Sequence, residues 1–203
     1  YQFGDSPLPT QIFSQDQPML QSPMALKVLS GGNTLQWTNA KSTLQNADGY
    51  EANVLSSGEL NTAQGKVLLE AKYHLEYDGL MVCTFDWKTP AGFKPDTVTL
   101  DIPVRQDRAI YQHGWDANMK PDVGNLPAGN GVIVHDSFRP AAWLGDNDRG
   151  LFWFCESAEN WPNWQDENAF QTVRQNEAVT MRFNLLSGQP LPQDWSYQFG
   201  LQA

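Results

Sequence analysis

An antiparallel, all-β sandwich is the fold class this sequence predicts, on three observations. Sixteen glycines and thirteen prolines recur throughout and leave no stretch of more than about 25 residues uninterrupted, which is strand-and-turn punctuation. The segments between them are short and rich in β-branched and aromatic residues. No 12-residue window keeps an apolar i, i+3, i+4, i+7 stripe free of a Gly, Pro or Asn cluster, so at most a turn or two of helix is expected.

Taken in order, eleven runs read as strands: 25–30, 34–38, 66–77, 80–87, 97–104, 131–135, 142–144, 150–156, 170–174, 178–186 and 196–201. The clearest alternation lies in 67–77, where Leu69, Ala71, Tyr73, Leu75 and Tyr77 share one face and Glu70, Lys72, His74 and Glu76 the other. Asp78-Gly79 then reverses the chain into Leu80–Trp87, the strongest hairpin signal present, read as a two-residue turn because Asp-Gly accepts positive φ. A second alternation sets Val179, Met181, Phe183 and Leu185 against Thr180, Arg182 and Asn184. Gln112–Asn130, punctuated by Gly114, Pro121, Gly124, Pro127 and Gly129, reads as the longest irregular loop. No fixed-period repeat and no low-complexity tract is visible, so one sandwich domain spanning 1–203 is expected.

Composition narrows the function. A formal net charge of −10 is the wrong sign for gripping a phosphate backbone or an anionic membrane. The longest apolar runs are about five residues, as in Leu151–Cys155, far short of the roughly 18 a membrane-spanning helix needs. Tyr1–Asp5 lacks the basic start and apolar stretch of a signal peptide. A chain that does not begin with Met is expected to be a processed mature protein or a piece of a longer one. Cys83 and Cys155 each sit in an apolar strand-like run outside any C-x-x-C pattern, which favours two buried free thiols over a disulfide or a zinc site. The motifs G-x-S-x-G, G-x-x-x-x-G-K-[ST] and G-x-G-x-x-G do not occur, removing the usual sequence grounds for a hydrolase triad, a P-loop NTPase or a dinucleotide enzyme. No cofactor is implied.

The densest constellation of chemistry is 142–164, which holds Trp143, Trp153, Trp161 and Trp164, half of the eight tryptophans. Flat aromatic faces stack on the C–H faces of sugar rings, and neighbouring carboxylates and amides hydrogen-bond to hydroxyls. On that basis Trp161, Trp164, Glu156, Asn160 and Asp146 are candidate carbohydrate contacts. His135, at a strand end before Asp136, joins them. Trp143 and Trp153 read as sandwich core, while Trp161 and Trp164, beside Pro162 and Asn163, read as loop aromatics that either meet a ligand or pack. Asp146-Asn147-Asp148 is ordinary turn chemistry, with a calcium site from those residues as a weaker alternative that lacks the Gly and Glu of an EF-hand. Arg149 is expected to brace the turn through Asp146 and Asp148. Asp146 with Glu156, or Glu156 with Glu159, has the composition of a glycosidase dyad, but 23 acidic residues guarantee many such pairs. His74, His113 and His135 stand apart without ligand spacing, so no metal site is assigned.

Trp143–Ser157, then Asn160-Trp161, and the terminal Phe199–Ala203 resemble the β-sandwich region of large bacterial glycoside hydrolase-like proteins, a domain-of-unknown-function family distantly similar to family 123 glycoside hydrolases. Leu8–Ile12, Met19-Leu20 and Pro23-Met24 resemble the opening strand of that region. The likeness is specific at Trp143–Ser157 and weak over about 31–130. It implies a supersandwich-like fold and a domain that precedes a catalytic (β/α)8 barrel, with Phe199–Ala203 leading into it. The catalytic carboxylates then lie outside this chain, and none is carried over to any residue here. The function expected is a non-catalytic accessory domain of a secreted or periplasmic polysaccharide-degrading protein, partnered by its barrel and by carbohydrate. Two alternatives remain: a free-standing hydrolase or lyase using Asp146, Glu156 and His135, and a purely structural module.

Overall fold

A computed structural model describes residues 1–115 and 120–203. Its strands are β1 (Phe13–Ser14), β2 (Gln17–Pro18), β3 (Ala25–Ser30), β4 (Asn33–Thr34), β5 (Thr38–Ala47), β6 (Glu51–Thr62), β7 (Gly65–Glu76), β8 (Leu80–Lys88), β9 (Thr97–Arg105), β10 (Tyr111–Trp115), β11 (Pro121–Asn125), β12 (Gly131–Asp136), β13 (Ala141–Gly145), β14 (Gly150–Phe154), β15 (Phe170–Gln175), β16 (Ala178–Ser187) and β17 (Asp194–Gln202). A single 3-10 turn at Gln106–Arg108 is the only helical element among the described residues. All strand pairs are antiparallel. One sheet runs β11-β10-β13-β14-β17-β8-β7-β6-β5, the other β12-β15-β16-β9-β3-β4, and β1-β2 forms a small ribbon.

The two large sheets face each other across one apolar core, as the alternation requires. From the nine-stranded sheet come Leu69, Ala71, Tyr73, Met81, Cys83, Phe85, Trp87, Leu151, Trp153, Tyr197, Phe199 and Leu201; from the other, Leu26, Val28, Val98, Leu100, Ile102, Val104, Val179, Met181, Phe183 and Leu185. A bulge between Asn184 and Leu186 turns Leu186 inward beside Leu185. Cys83 and Cys155 are free and buried, and burial pushes both thiols up.

On the outer side of β9, Asp101 is closed over by its neighbours. Arg182 of β16 donates from Nε (2.7 Å) and a guanidinium nitrogen (2.8 Å), and Lys27 of β3 donates from Nζ (2.7 Å). Burial alone would raise the Asp101 carboxyl, but these two cations outweigh it and hold it below the usual carboxylate range.

Four expectations are corrected. β5 and the first half of β6, polar and poor in β-branched residues, gave no pattern; β5 lies at the sheet edge and is a strand because β6 supplies its hydrogen bonds. The 76–80 turn is three residues, not two, with positive φ at Gly79 alone (90°) and the Asp78 carboxylate accepting the Leu80 N–H. Tyr77 therefore leaves the buried face and is 80% exposed. Finally, Gln112–Asn130 is not one irregular loop: β10 and β11 pair from Tyr111↔Asn125 to Trp115↔Pro121, 126–130 staying irregular beyond β11 and residues 116–119 lying outside the described ones. Gly114, Pro121 and Gly124, which looked like breakers, lie within the strands. Pro121 opens β11, where no preceding ladder bond is lost. At Gly114 a Cβ would stand 2.8 Å from the Ala141 carbonyl oxygen and 3.2 Å from the Arg139 guanidinium.

Candidate functional site

The β13–β14 hairpin is the centre of the region in question. Its turn follows from Asp146, whose backbone N–H bonds to the Arg149 carbonyl (2.9 Å) and whose Oδ1 accepts the amides of Asp148 and Arg149. Its Oδ2 accepts from Arg108 (3.0 Å), which the 3-10 turn brings alongside because Ile110 N–H bonds to the Gly145 carbonyl. Partial burial works the other way, but these amides and the guanidinium hold Asp146 below the usual range. Arg108, then, braces this turn, not Arg149. With its oxygens committed to N–H donors, the Asp146 carboxylate is occupied in a manner opposite to what a calcium ion needs.

Asp146 and Glu156 stand at opposite ends of the hairpin. The ladder from Gly145↔Gly150 to Ala141↔Phe154 spans five residue pairs, four steps or about 13 Å, which already exceeds the roughly 5–9.5 Å separation of a glycosidase pair. The Asp146, Glu156 and His135 site of the free-standing enzyme alternative is therefore not assembled.

The remaining candidates do gather at one end, where residues 155–169 cross from β14 to β15. Phe138 N–H bonds to the Trp164 carbonyl, and His135 Nδ1 lies 3.2 Å from the Glu167 carbonyl oxygen. Glu156 and Asn160 are exposed, and Asn160, at φ 61°, accepts the Trp195 indole N–H through its carbonyl. Trp161 is not a ligand platform. It is 1% exposed, donates its Nε1–H to the Asn184 carbonyl (2.9 Å), and packs edge-on against Phe138, Trp153 and Tyr197. A loop residue is buried here because the crossing loop plugs the open end of the sandwich. Trp164 keeps 39% of its surface exposed.

The aromatic surface lies elsewhere, on the outer face of the β11-β10-β13-β14 end of the nine-stranded sheet. Cross-strand register sets Val123, His113, Trp143, Phe152 and Gln202 in one row over β11, β10, β13, β14 and β17. Pro121, Trp115, Ala141, Phe154 and Gly200 form the next row. A cleft of about 450 Å³ opens among Tyr111, His113, Trp115, Val123, Trp143 and Phe152. His113 and Trp115 are in ring contact (4.5 Å between centroids), and Phe152 stacks on Phe154 (5.8 Å, 26°).

Two glycines shape this surface. A Cβ on Gly145 would stand 2.1 Å from the Trp143 ring, and one on Gly150 2.2 Å from it, so the indole lies flat on the bare backbone of both residues. Phe154 lies in the same way on Gly200. A ring laid flat on a sheet hides one face and offers the other. Trp143, expected in the core, is thus half-buried on the outside, whereas Trp153, its near neighbour, is fully buried.

Arg139 ties this face to the second sheet. It is 6% exposed, donates to Asp122 of β11 (2.9 Å) and to Asp136 at the end of β12 (3.2 Å), and stands over the Phe170 ring at 5.1 Å. The Asp122 carboxylate also accepts from Gln112 (3.0 Å), fixing the β10–β11 hairpin.

A larger depression, about 1000 Å³, lies over β5–β8 and β17. Several of its charges are already paired: Lys72 reaches Asp86 (2.8 Å) and Glu70 (3.3 Å), and Glu59 is taken by Lys66 (2.6 Å). Its tryptophans, Trp87 and Trp195, are 1% and 3% exposed. It offers a ligand no open ring face, and the smaller aromatic cleft is the stronger site.

Residues 2–186 match the family model of the third domain of glycoside hydrolase 123. The chain belongs to glycoside hydrolase family 123. It corresponds to the third domain of that family, so other domains of the same protein are its natural neighbours. No curated protein matches the sequence. Among solved structures it is similar to the galactose mutarotase related enzyme from Lactobacillus acidophilus, at 9% identity over 93% of this chain and 87% of that one, with a TM-score of 0.41. No helix among the described residues is long and apolar enough to cross a membrane.

Proposed function

We propose that this family 123 domain is a non-catalytic accessory sandwich that contacts carbohydrate through the outer aromatic face of β10, β11, β13 and β14. It packs beside the catalytic barrel of the same polypeptide and works outside the cytoplasm, secreted or periplasmic, on a polysaccharide. The observation that carries this is the Trp143 indole laid flat on Gly145 and Gly150. A surface hydrophobe needs no such bed, whereas a sugar ring needs an open, immobilised aromatic face. The hydrolytic carboxylates belong to the barrel in this reading, in keeping with Asp146 and Glu156 standing at opposite ends of their hairpin.

Affinity electrophoresis in gels containing polysaccharide tests it. The wild-type chain is retarded, Trp143→Ala at least tenfold less so, and Trp164→Ala as wild type. Retardation unchanged in Trp143→Ala moves the contact away from this face. A wild-type chain that no polysaccharide retards makes the domain a scaffold.

A further inference from the structure

Resting on the carbohydrate reading above, we infer that the aromatic face takes an extended, uncharged oligosaccharide of several units, laid across the strands, and not a monosaccharide or a uronate chain. Two independent features specify this ligand.

The first is charge. The protein carries a net charge of −10 and 36 charged side chains, yet the described residues lining the cleft are Tyr111, Gln112, His113, Trp115, Val123, Gly124, Trp143 and Phe152, without an Asp, Glu, Lys or Arg. Asp122, the nearest carboxylate in the β11 strand, is bound by Arg139 and Gln112. The guanidinium of Arg108, which the 3-10 turn brings to the hairpin turn, is spent on Asp146, and Arg149 of the hairpin turn itself is not among the described residues lining the cleft. A uronate would leave its carboxylates without a cationic partner and would meet the field of an acidic protein. A neutral sugar loses nothing there.

The second is length. The Val123, His113, Trp143, Phe152 and Gln202 row crosses five adjacent strands, four inter-strand spacings or about 19 Å. That is several times the width of one pyranose. Trp143 stands at the middle of the row, with the hydrogen-bonding side chains of His113 on one side and Gln202 beyond Phe152 on the other. A single sugar ring would cover Trp143 alone and leave the flanking rings wet. A chain covers the row, each added unit removing more apolar surface from water until the row is full.

The experiment is isothermal titration of the 203-residue chain with neutral oligosaccharide ladders of one to six units, including gluco-, xylo-, manno-, galacto- and N-acetylated series, beside an oligogalacturonate ladder. The expected result is affinity that rises at least tenfold from one unit to four in a neutral series and then levels, with the uronate ladder at least tenfold weaker at every length. Trp143→Ala removes the rise. Phe152→Ser, at the neighbouring place in the row, shortens the length at which affinity levels. Two results overturn the inference and leave the carbohydrate reading standing: affinity independent of length, or uronates bound as tightly as neutral chains. Absence of binding to every ladder overturns both and marks the face as a contact with a neighbouring domain.

Discussion

Trp143 and Trp153 occupy neighbouring strands of one hairpin and have opposite fates. Trp153 stacks across the sandwich on Phe183, centroids 4.1 Å apart, and meets Trp161 edge-on. Trp143 lies outside, on a bed of glycine backbone. The same side chain is mortar on one face of a sheet one residue thick and a docking surface on the other. What separates them is the parity of the register, since partners in an antiparallel ladder point to the same side. Trp143 pairs with Phe152 and Trp153 with Ala142, so the two tryptophans cannot share a face.

The largest effect expected from this contrast is on stability. Trp153→Ala and Trp161→Ala each open a cavity in the aromatic cluster and cost about 3–5 kcal/mol. Trp143→Ala costs under about 1 kcal/mol, because the ring lies on the outer face of the sheet, half open to solvent, and its removal leaves no cavity in the core. Equilibrium urea unfolding of the three variants measures this, and a Trp143→Ala loss equal to that of Trp153→Ala would dissolve the distinction between the two faces.

A second test moves to the six-stranded sheet, whose outer face is polar where the other is aromatic. Asp101→Asn leaves Arg182 and Lys27 without their shared carboxylate, at a cost of about 2 kcal/mol at neutral pH. The sign of the pH dependence follows from the depressed carboxyl of Asp101. Its contribution is complete above the unfolded value, about 3.9, and fades as pH falls through the lower folded value. Wild type and Asp101→Asn therefore converge in stability below about pH 4. A gap that stays constant into acid would mean the carboxylate is not what Arg182 and Lys27 hold.

The part of the molecule that was legible in the sequence is the part where burial imposes a pattern. β7, β8, β9 and β16 were read within a residue or two because one face of each is apolar, and Val179, Met181, Phe183 and Leu185 all point inward as their spacing required. β5 was invisible because an edge strand with a wet face needs no pattern. The site was half legible. Trp161 looked like a loop residue and is a core residue, since a local pattern does not reveal that a crossing loop closes one end of the sandwich. Trp143 looked like core, although Gly145 and Gly150 flanking the turn were a signal. With those two glycines paired, Trp143 and Trp153 fall on opposite faces, and the glycines lie on Trp143's own.

A third, smaller effect concerns how the aromatic face is held. Arg139 is nearly buried, but Asp122 and Asp136 retain 38% and 25% of their side-chain exposure, so solvent screens part of each pair. Arg139→Met keeps the packing on Phe170 and costs about 1–2 kcal/mol. The loss is local: amide exchange quickens in β10 and β11 while β7 and β8 keep their protection. Uniform acceleration through both sheets would show that Arg139 supports the whole core and not this hairpin.

The smallest expected change in stability carries the sharpest information about the face. Gly150 has no need of positive φ, so alanine fits its backbone and restricts the unfolded chain, a gain of about 0.4–1 kcal/mol. Against this, the new Cβ lands within 2.2–2.5 Å of three Trp143 ring atoms, and the indole must lift from the sheet. The two effects nearly cancel, leaving Gly150→Ala within about 0.5 kcal/mol of wild type. What changes is geometry: the Trp143 indole N–H resonance shifts, the indole resonances of Trp153 and Trp161 stay in place, and oligosaccharide affinity falls as far as in Trp143→Ala. Affinity retained with a displaced indole would mean that the ring's presence, and not its flat seating, makes the site, and the glycines would then be explained by hairpin closure alone.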